Sequence, residues 1–225
     1  MAMKVSLTDA GKRFNRDWIF RHLNYNFESG VSYAIVGPNG SGKSTLLQAI
    51  SGALHLNEGR LEYMIGPNLS IREGTRETPV KNIKGNIDAE EHFRYVSICA
   101  PYLEVIEEMT VLEFLNFHNT YKPLLAGVSV DDIITATGLN KAVNKQIRYY
   151  SSGMKQRVKL AQSIFFDTPL VLLDEPCTNL DAEGVSLYHQ LIEQYCLQRL
   201  VIVSSNDEVE YRFCKEKIEI LDFKS

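Results

Sequence analysis

The run Gly37-Pro38-Asn39-Gly40-Ser41-Gly42-Lys43-Ser44-Thr45 constrains this chain more than any other stretch. It fits the pattern G-x-x-x-x-G-K-[ST] through Gly37, Gly42, Lys43 and Ser44. The apolar run Val31 to Val36 stands before it, and Leu46-Leu47-Gln48-Ala49-Ile50 after it. The pattern therefore predicts a strand, a tight loop and a helix that begins near Lys43. Glycines let consecutive backbone N–H groups turn inward around phosphate oxygens, and the helix points its partial positive end at the same place. Lys43 adds a full charge for the β- and γ-phosphates of a nucleotide, and the Ser44 hydroxyl is placed to ligate Mg²⁺. All nine residues, Gly37 to Thr45, are candidate nucleotide contacts.

A second element completes the chemistry. Leu170-Val171-Leu172-Leu173-Asp174-Glu175 reads as a strand buried on both faces that ends in two carboxylates. With a phosphate loop upstream, Asp174 is the candidate Mg²⁺ ligand and Glu175 the group that polarises an attacking water.

Composition narrows the class. The chain has 225 residues, 44% hydrophobic and 23% charged, with a formal net charge of -4. No block of like charge stands out, so nothing points to nucleic acid. No apolar run approaches the ~18 residues of a membrane span, and the start carries no signal-peptide core. Cys99, Cys177, Cys196 and Cys214 are scattered, as are the five histidines, so neither a disulfide framework nor a metal cluster is expected. These features predict a cytoplasmic protein.

Along the chain, Val5-Ser6-Leu7, Leu23 to Phe27 and Arg60 to Met64 alternate like strands. Residues 66 to 91 read as a long hairpin or mobile loop, and Tyr95 to Ile98 as a short buried strand. From Thr110, a candidate N-cap, the spacing turns helical. Asp131 opens a short helix and Ser152 is read as the cap of a third. Leu200 to Val203 is a second doubly buried strand, Asp181 to Leu197 a helix, and Lys217 to Phe223 a terminal alternating strand. The order is a β-rich front, an α/β segment, a helical insertion and α/β again.

Tyr150-Ser151-Ser152-Gly153-Met154-Lys155-Gln156-Arg157 resembles the Leu-Ser-Gly-Gly-Gln signature of ABC-transporter ATPase subunits. Ser151 precedes Asp174 by 23 residues, which matches the family spacing. Thr178-Asn179-Leu180-Asp181 resembles the family's D-loop, which places Asp181 in the site. The resemblance covers essentially the whole chain. It implies a single nucleotide-binding domain over residues 1–225: a P-loop NTPase with a mixed core sheet, an N-terminal antiparallel β subdomain and a helical subdomain at approximately 102–158. It also implies that Ser151, Ser152, Gly153 and Met154 face the ATP of a second nucleotide-binding subunit. An aromatic about two dozen residues before the P-loop would stack on adenine; Phe14 matches, with Trp18 a near rival. ATP and Mg²⁺ are the implied cofactors. The implied partners are a second such subunit and an integral-membrane permease, which would hold the protein on the inner face of the membrane. Compact chains of this kind resemble the ATPase subunits of exporters.

The chain departs from that pattern at two places. The glutamine expected after the Tyr95 to Ile98 strand is replaced by Ala100, and the histidine expected after Leu200 to Val203 by Asn206. A methyl group cannot hydrogen-bond, and an amide cannot carry the charge of an imidazolium. Asn206 is nevertheless the candidate for that catalytic position. Ser152 and Met154 loosen the signature. These changes bear on hydrolysis rate more than on nucleotide binding, and they keep open a second function: a non-transport nucleotide switch with slow or no hydrolysis, acting on a soluble partner. A small-molecule kinase would share the P-loop but leaves the signature unexplained.

Overall fold

The computed structural model describes residues 2–66, 85–86 and 91–224. In chain order the elements are β1 (Ala2–Phe14), β2 (Asp17–Glu28), β3 (Ser32–Val36), α1 (Lys43–Ile50), β4 (Glu58–Gly66), β5 (Gly85–Asn86) and β6 (Val96–Cys99). Then come α2 (Val111–Asn119), α3 (Val130–Ala136), α4 (Ser152–Ile164), β7 (Leu170–Asp174), α5 (Ala182–Tyr195), β8 (Leu200–Ser204), α6 (Glu208–Tyr211) and β9 (Glu216–Glu219).

The strands form two sheets. One is antiparallel, in the order β2-β1-β4-β5, and the other runs β6-β7-β8-β3-β9. Every pair in the second is parallel. The two together supply the expected mixture, with all parallel pairing gathered in the sheet that carries the phosphate loop.

Side-chain alternation explains how the layers stack. In β7, Leu170 and Leu172 face one core cluster, and Val171 and Leu173 face another. In β8, Leu200 and Ile202 divide from Val201 and Val203 in the same way. The parallel sheet is thus buried on both faces, which is why its strands read as unbroken apolar runs. On one face lie the antiparallel sheet and α1, through Val5, Phe20, Phe27, Leu46 and Ile50. On the other lie α2 to α5, through Phe114, Leu115, Ile133, Val158, Ile164 and Tyr188. The inserted helices share this core rather than forming one of their own.

Local chemistry sets the ends of these elements. Thr110 caps α2 in a capping box: its hydroxyl accepts from Glu113 N, and Glu113 returns a carboxylate to Thr110 N. Ser129 and Asp132 repeat the device on α3. The cap of α4 is Ser151, which accepts from Met154 N, and not Ser152. The expected terminal strand is shorter than its alternation suggested: β9 stops at Glu219, and Ile220–Phe223 form a 3-10 turn that buries Ile220. Tyr95 belongs to a 3-10 turn ahead of β6. Of the hairpin expected over residues 66 to 91, β5 pairs antiparallel with the end of β4; most of that segment lies outside the described residues. Arg199 is buried and donates to the carbonyls of Ile164, Phe166 and Thr168, fastening the end of α4 to the sheet.

Candidate functional site

The phosphate loop joins β3 to α1 at the carboxyl end of the parallel sheet, where open α/β sheets bind ligands. Gly42 is the N-cap of α1, at φ 107°, and no side chain caps the helix. Its first N–H groups therefore remain available to an anion. A Cβ at Gly42 would sit 2.3 Å from Ile19 Cγ2, so only glycine fits. Lys43 is buried, and its ammonium donates to the carbonyls of Gly37 (2.8 Å) and Pro38 (3.2 Å). Asn39 to Thr45 line a cavity of about 240 Å³ together with Ile19 and Glu175.

Asp174 is the last residue of β7 and is buried. Burial raises its pKa, opposed by the nearby hydroxyls of Ser44 and Ser204 and by the charge of Lys43. Asp174 Oδ1 is nevertheless buried without a hydrogen-bond partner, as is the Ser41 hydroxyl. A carboxylate oxygen in want of a partner beside a serine hydroxyl fits a hard divalent cation. Among the described residues no trio of His, Cys, Asp or Glu could hold a metal alone. Phosphate oxygens and water would complete the shell, as Mg²⁺ prefers. Glu175 follows at φ 44°, a left-handed conformation that costs a non-glycine residue roughly 1–2 kcal/mol. Glu175 N bonds Ser204 O, and Thr178 Oγ1 donates to Glu175 O. This turn holds the carboxylate on the wall of the phosphate cavity.

Asn206 reaches the same site from the loop after β8: its Nδ2 donates to Asn39 Oδ1 at 3.0 Å. Ala100 is fully buried at the end of β6, so its methyl adds nothing polar. Phe14 and Trp18 separate in environment. Trp18 is stacked against Arg21, 4.5 Å from the ring centroid, and Arg13. Phe14 is exposed at the end of the first hairpin, with Lys12 over its ring. Neither lines the cavity. Ile19 does, though no residue pattern marks it as a site residue. Lys12 pairs with Phe20 and Arg13 with Trp18, so Ile19 is the extra residue of a β-bulge, and the bulge aims it at Gly42.

The signature residues do not join this cavity. Ser151 and Ser152 are exposed at the start of α4. A Cβ on Gly153 would lie 3.0 Å from Asn179 O, so this glycine lets the helix pack on the turn that precedes α5. Asp181 caps α5 through Gly184 N at 2.8 Å. Gln156 donates to Pro176 O at 2.7 Å, tying α4 to the turn after Glu175. Glu210, buried on α6, accepts from Cys177 N at 2.7 Å and fixes the same turn from the other side.

Fold and site together define a P-loop ATPase whose phosphate loop, acidic strand end and capped signature helix occur in one chain. The family model described as ABC transporter matches residues 20–178. The chain belongs to this family of ATP-binding transporter subunits. It is 31% identical over 170 residues to the cytochrome c biogenesis ATP-binding export protein CcmA of Xylella fastidiosa, a match that covers 76% of this chain and 68% of that protein. A putative ABC transporter ATP-binding protein from Pyrococcus furiosus shares the fold with a TM-score of 0.75 at 19% identity, over 99% of this chain and 100% of that one. A dimeric bacterial ABC transporter cassette, MJ0796, does so with a TM-score of 0.73 at 23% identity, over 96% and 94%. Among the described residues no helix is long and apolar enough to cross a membrane.

Proposed function

We propose that this chain binds Mg²⁺–ATP on Gly37 to Thr45, hydrolyses it with Glu175, and works as one of a pair of nucleotide-binding subunits that drives an integral-membrane partner. The observation that carries the reading is one cavity: Glu175 shares it with Asn39 to Thr45, beside an unpartnered Asp174 oxygen. Lys43 exchanges the Gly37 and Pro38 carbonyls for phosphate oxygens. Ser44 and Asp174 hold Mg²⁺, which when bound neutralises charge on the phosphates. Glu175 takes a proton from the attacking water, and Asn206 donates a hydrogen bond at the same end of the loop. Residues 102–158 serve as the helical subdomain of a single domain spanning 1–225, and Phe14 meets the adenine.

The pairing rests on an incomplete cage. The P-loop, Glu175 and Asn206 flank the phosphates from one side only. Ser151 and Ser152 stand exposed elsewhere, with Gly153 and Met154 half-buried next to them, and this end of α4 would meet the ATP of another copy, with Asp181 beside it. The relative from Xylella fastidiosa is named as an export protein, which supports an exporter, peripheral on the membrane's cytoplasmic face. The buried methyl of Ala100 and the amide of Asn206 favour a second reading, a slowly hydrolysing nucleotide switch on a soluble partner.

Size-exclusion chromatography of Glu175→Gln with ATP tests the pairing. This variant is expected to dimerise, and Ser151→Arg added to it to stay monomeric while still binding ATP. A double variant that dimerises with ATP refutes the pairing through the signature. Recovery of a multi-span membrane protein with the tagged chain from detergent-solubilised membranes supports transport; a soluble partner alone supports the switch.

A further inference from the structure

A second cavity, of about 430 Å³, lies at the opposite end of the parallel sheet from the phosphate loop, and the two share no residue. It reaches the sheet at Ser32 and Val201, partners in the β3–β8 ladder. Ser32 opens β3, whereas the phosphate loop follows that strand's last residue, Val36. One wall is α5: His189, Ile192, Glu193 and Cys196 recur at spacings of three and four and so share a helix face, which Leu197 extends. The other wall is Arg212, Phe213 and Lys215, between α6 and β9, pinned to the sheet where Lys215 N bonds Ser32 O at 2.9 Å. The lining is divided in character. Ile192, Cys196 and Val201 are buried and apolar, and Leu197 is 69% exposed. His189 Nε2 is buried without a hydrogen-bond partner, a costly state for an imidazole nitrogen. Arg212 and Lys215 are exposed, and neither side chain makes an ion pair or hydrogen bond among the described residues. Glu193 is the single carboxylate on the lining. Two cations thus meet one acid here, in a chain whose formal net charge is -4.

We propose that this cavity binds a medium-chain carboxylate, a compact anion on an apolar tail. Arg212 offers a planar fork that matches a carboxylate, Lys215 a second positive charge, and His189 Nε2 a hydrogen bond. The tail packs on Ile192, Val201 and Leu197, which burial of an alkyl chain would shield from water. The volume falls within the range of roughly 300–1,000 Å³ that small-molecule sites occupy. A tail alone would leave the imidazole nitrogen without a partner, and a small inorganic anion would leave the apolar lining uncovered. A carboxylate with a tail satisfies both. Neither the phosphate loop nor Glu175 takes part, so the inference stands apart from the ATPase reading.

Calorimetric titration of decanoate, below its micellar concentration, into the full chain without nucleotide tests this. Wild type is expected to bind one decanoate per chain. Arg212→Ala and His189→Phe are each expected to weaken binding about tenfold, the scale of one hydrogen bond to a charged group. 1-Decanol keeps the tail without the charge and is expected to bind about tenfold more weakly than decanoate. Acetate keeps the charge without the tail and is expected to give no measurable heat. Leu197→Trp fills the cavity from an exposed position and is expected to abolish decanoate binding while leaving ATP binding unchanged. No saturable heat in wild type overturns the inference. So does decanoate binding untouched by both Arg212→Ala and Leu197→Trp, since the ligand then sits elsewhere. 1-Decanol that binds as tightly as decanoate refutes recognition of an anion. A nucleotide-free wild-type dimer that Leu197→Trp dissolves assigns the cavity to a second copy of the chain and overturns the inference as well.

Discussion

The side-chain amide of Asn206 donates to Oδ1 of Asn39 at 3.0 Å, joining the loop after β8 to the middle of the phosphate loop across 167 residues of sequence. The bond is exposed, so its contribution to stability is small. Its consequence is positional: it holds the Asn206 amide against Asn39, which lines the cavity together with Glu175. Asn206→Ala is expected to lower kcat for phosphate release about tenfold, with KM for ATP within about twofold. Asn206→His is expected to raise kcat, because an imidazole can carry charge as it develops on the phosphate. A slower Asn206→His enzyme would mean that the amide pair with Asn39 is the working arrangement and no weakened copy of another.

The contact between Ile19 and Gly42 gives a second expectation. A methyl at Gly42 meets Ile19 Cγ2 at 2.3 Å and forces a left-handed alanine as well, so Gly42→Ala should lower the melting temperature and weaken ATP binding. At Gly40, φ 74°, a Cβ has nothing within 4 Å, and only the conformational cost of roughly 1–2 kcal/mol applies. Adding Ile19→Ala to Gly42→Ala opens space for the new methyl and should recover part of the lost stability. Unfolding of the four proteins measures this, and additive losses in the double variant would contradict the contact.

Glu210 gives a pH dependence whose sign can be worked out. Burial raises its pKa, and the charges of Asp207 and Glu175 add to that, opposed by Ser205 and the Cys177 amide. Its Oε2 has no partner. As pH rises through the carboxylate range, the unfolded chain gives up this proton before the folded one does, so folding stability falls across that window. Glu210→Gln has no proton to lose. Its melting temperature should approach that of wild type at about pH 4 and exceed it increasingly toward the raised pKa, then level off. Melting curves between about pH 4 and about pH 8 check this. A difference that does not vary with pH would show that Glu210 ionises without cost.

What the sequence discloses depends on how local each feature is. The phosphate loop and the Asp174-Glu175 pair are contiguous, and the doubly buried strands β7 and β8 announce themselves as apolar runs. The reach of β1 through Lys12 and Arg13 is hidden, because polar residues break its alternation and its hairpin carries register shifts. Ser151 and Ser152 are equivalent caps on paper; only the observed start of α4 chooses between them. Ile19 enters the site through a bulge that no residue pattern marks. Cys99 comes abreast of Leu173 because β6 lies beside β7, a fact of register between segments more than 70 residues apart.

The central claim is that Lys43 holds the phosphates of ATP and that Glu175 acts only on the water that attacks them. Calorimetric titration of Mg²⁺–ATP into wild type, Lys43→Ala and Glu175→Gln tests it most directly. Lys43 is the buried cation of the phosphate loop, so Lys43→Ala is expected to give no measurable binding heat. Glu175→Gln is expected to bind ATP at least as tightly as wild type, because the lost carboxylate matters only as the reaction proceeds. Equal loss of binding in the two variants, or full binding in Lys43→Ala, would contradict the assignment.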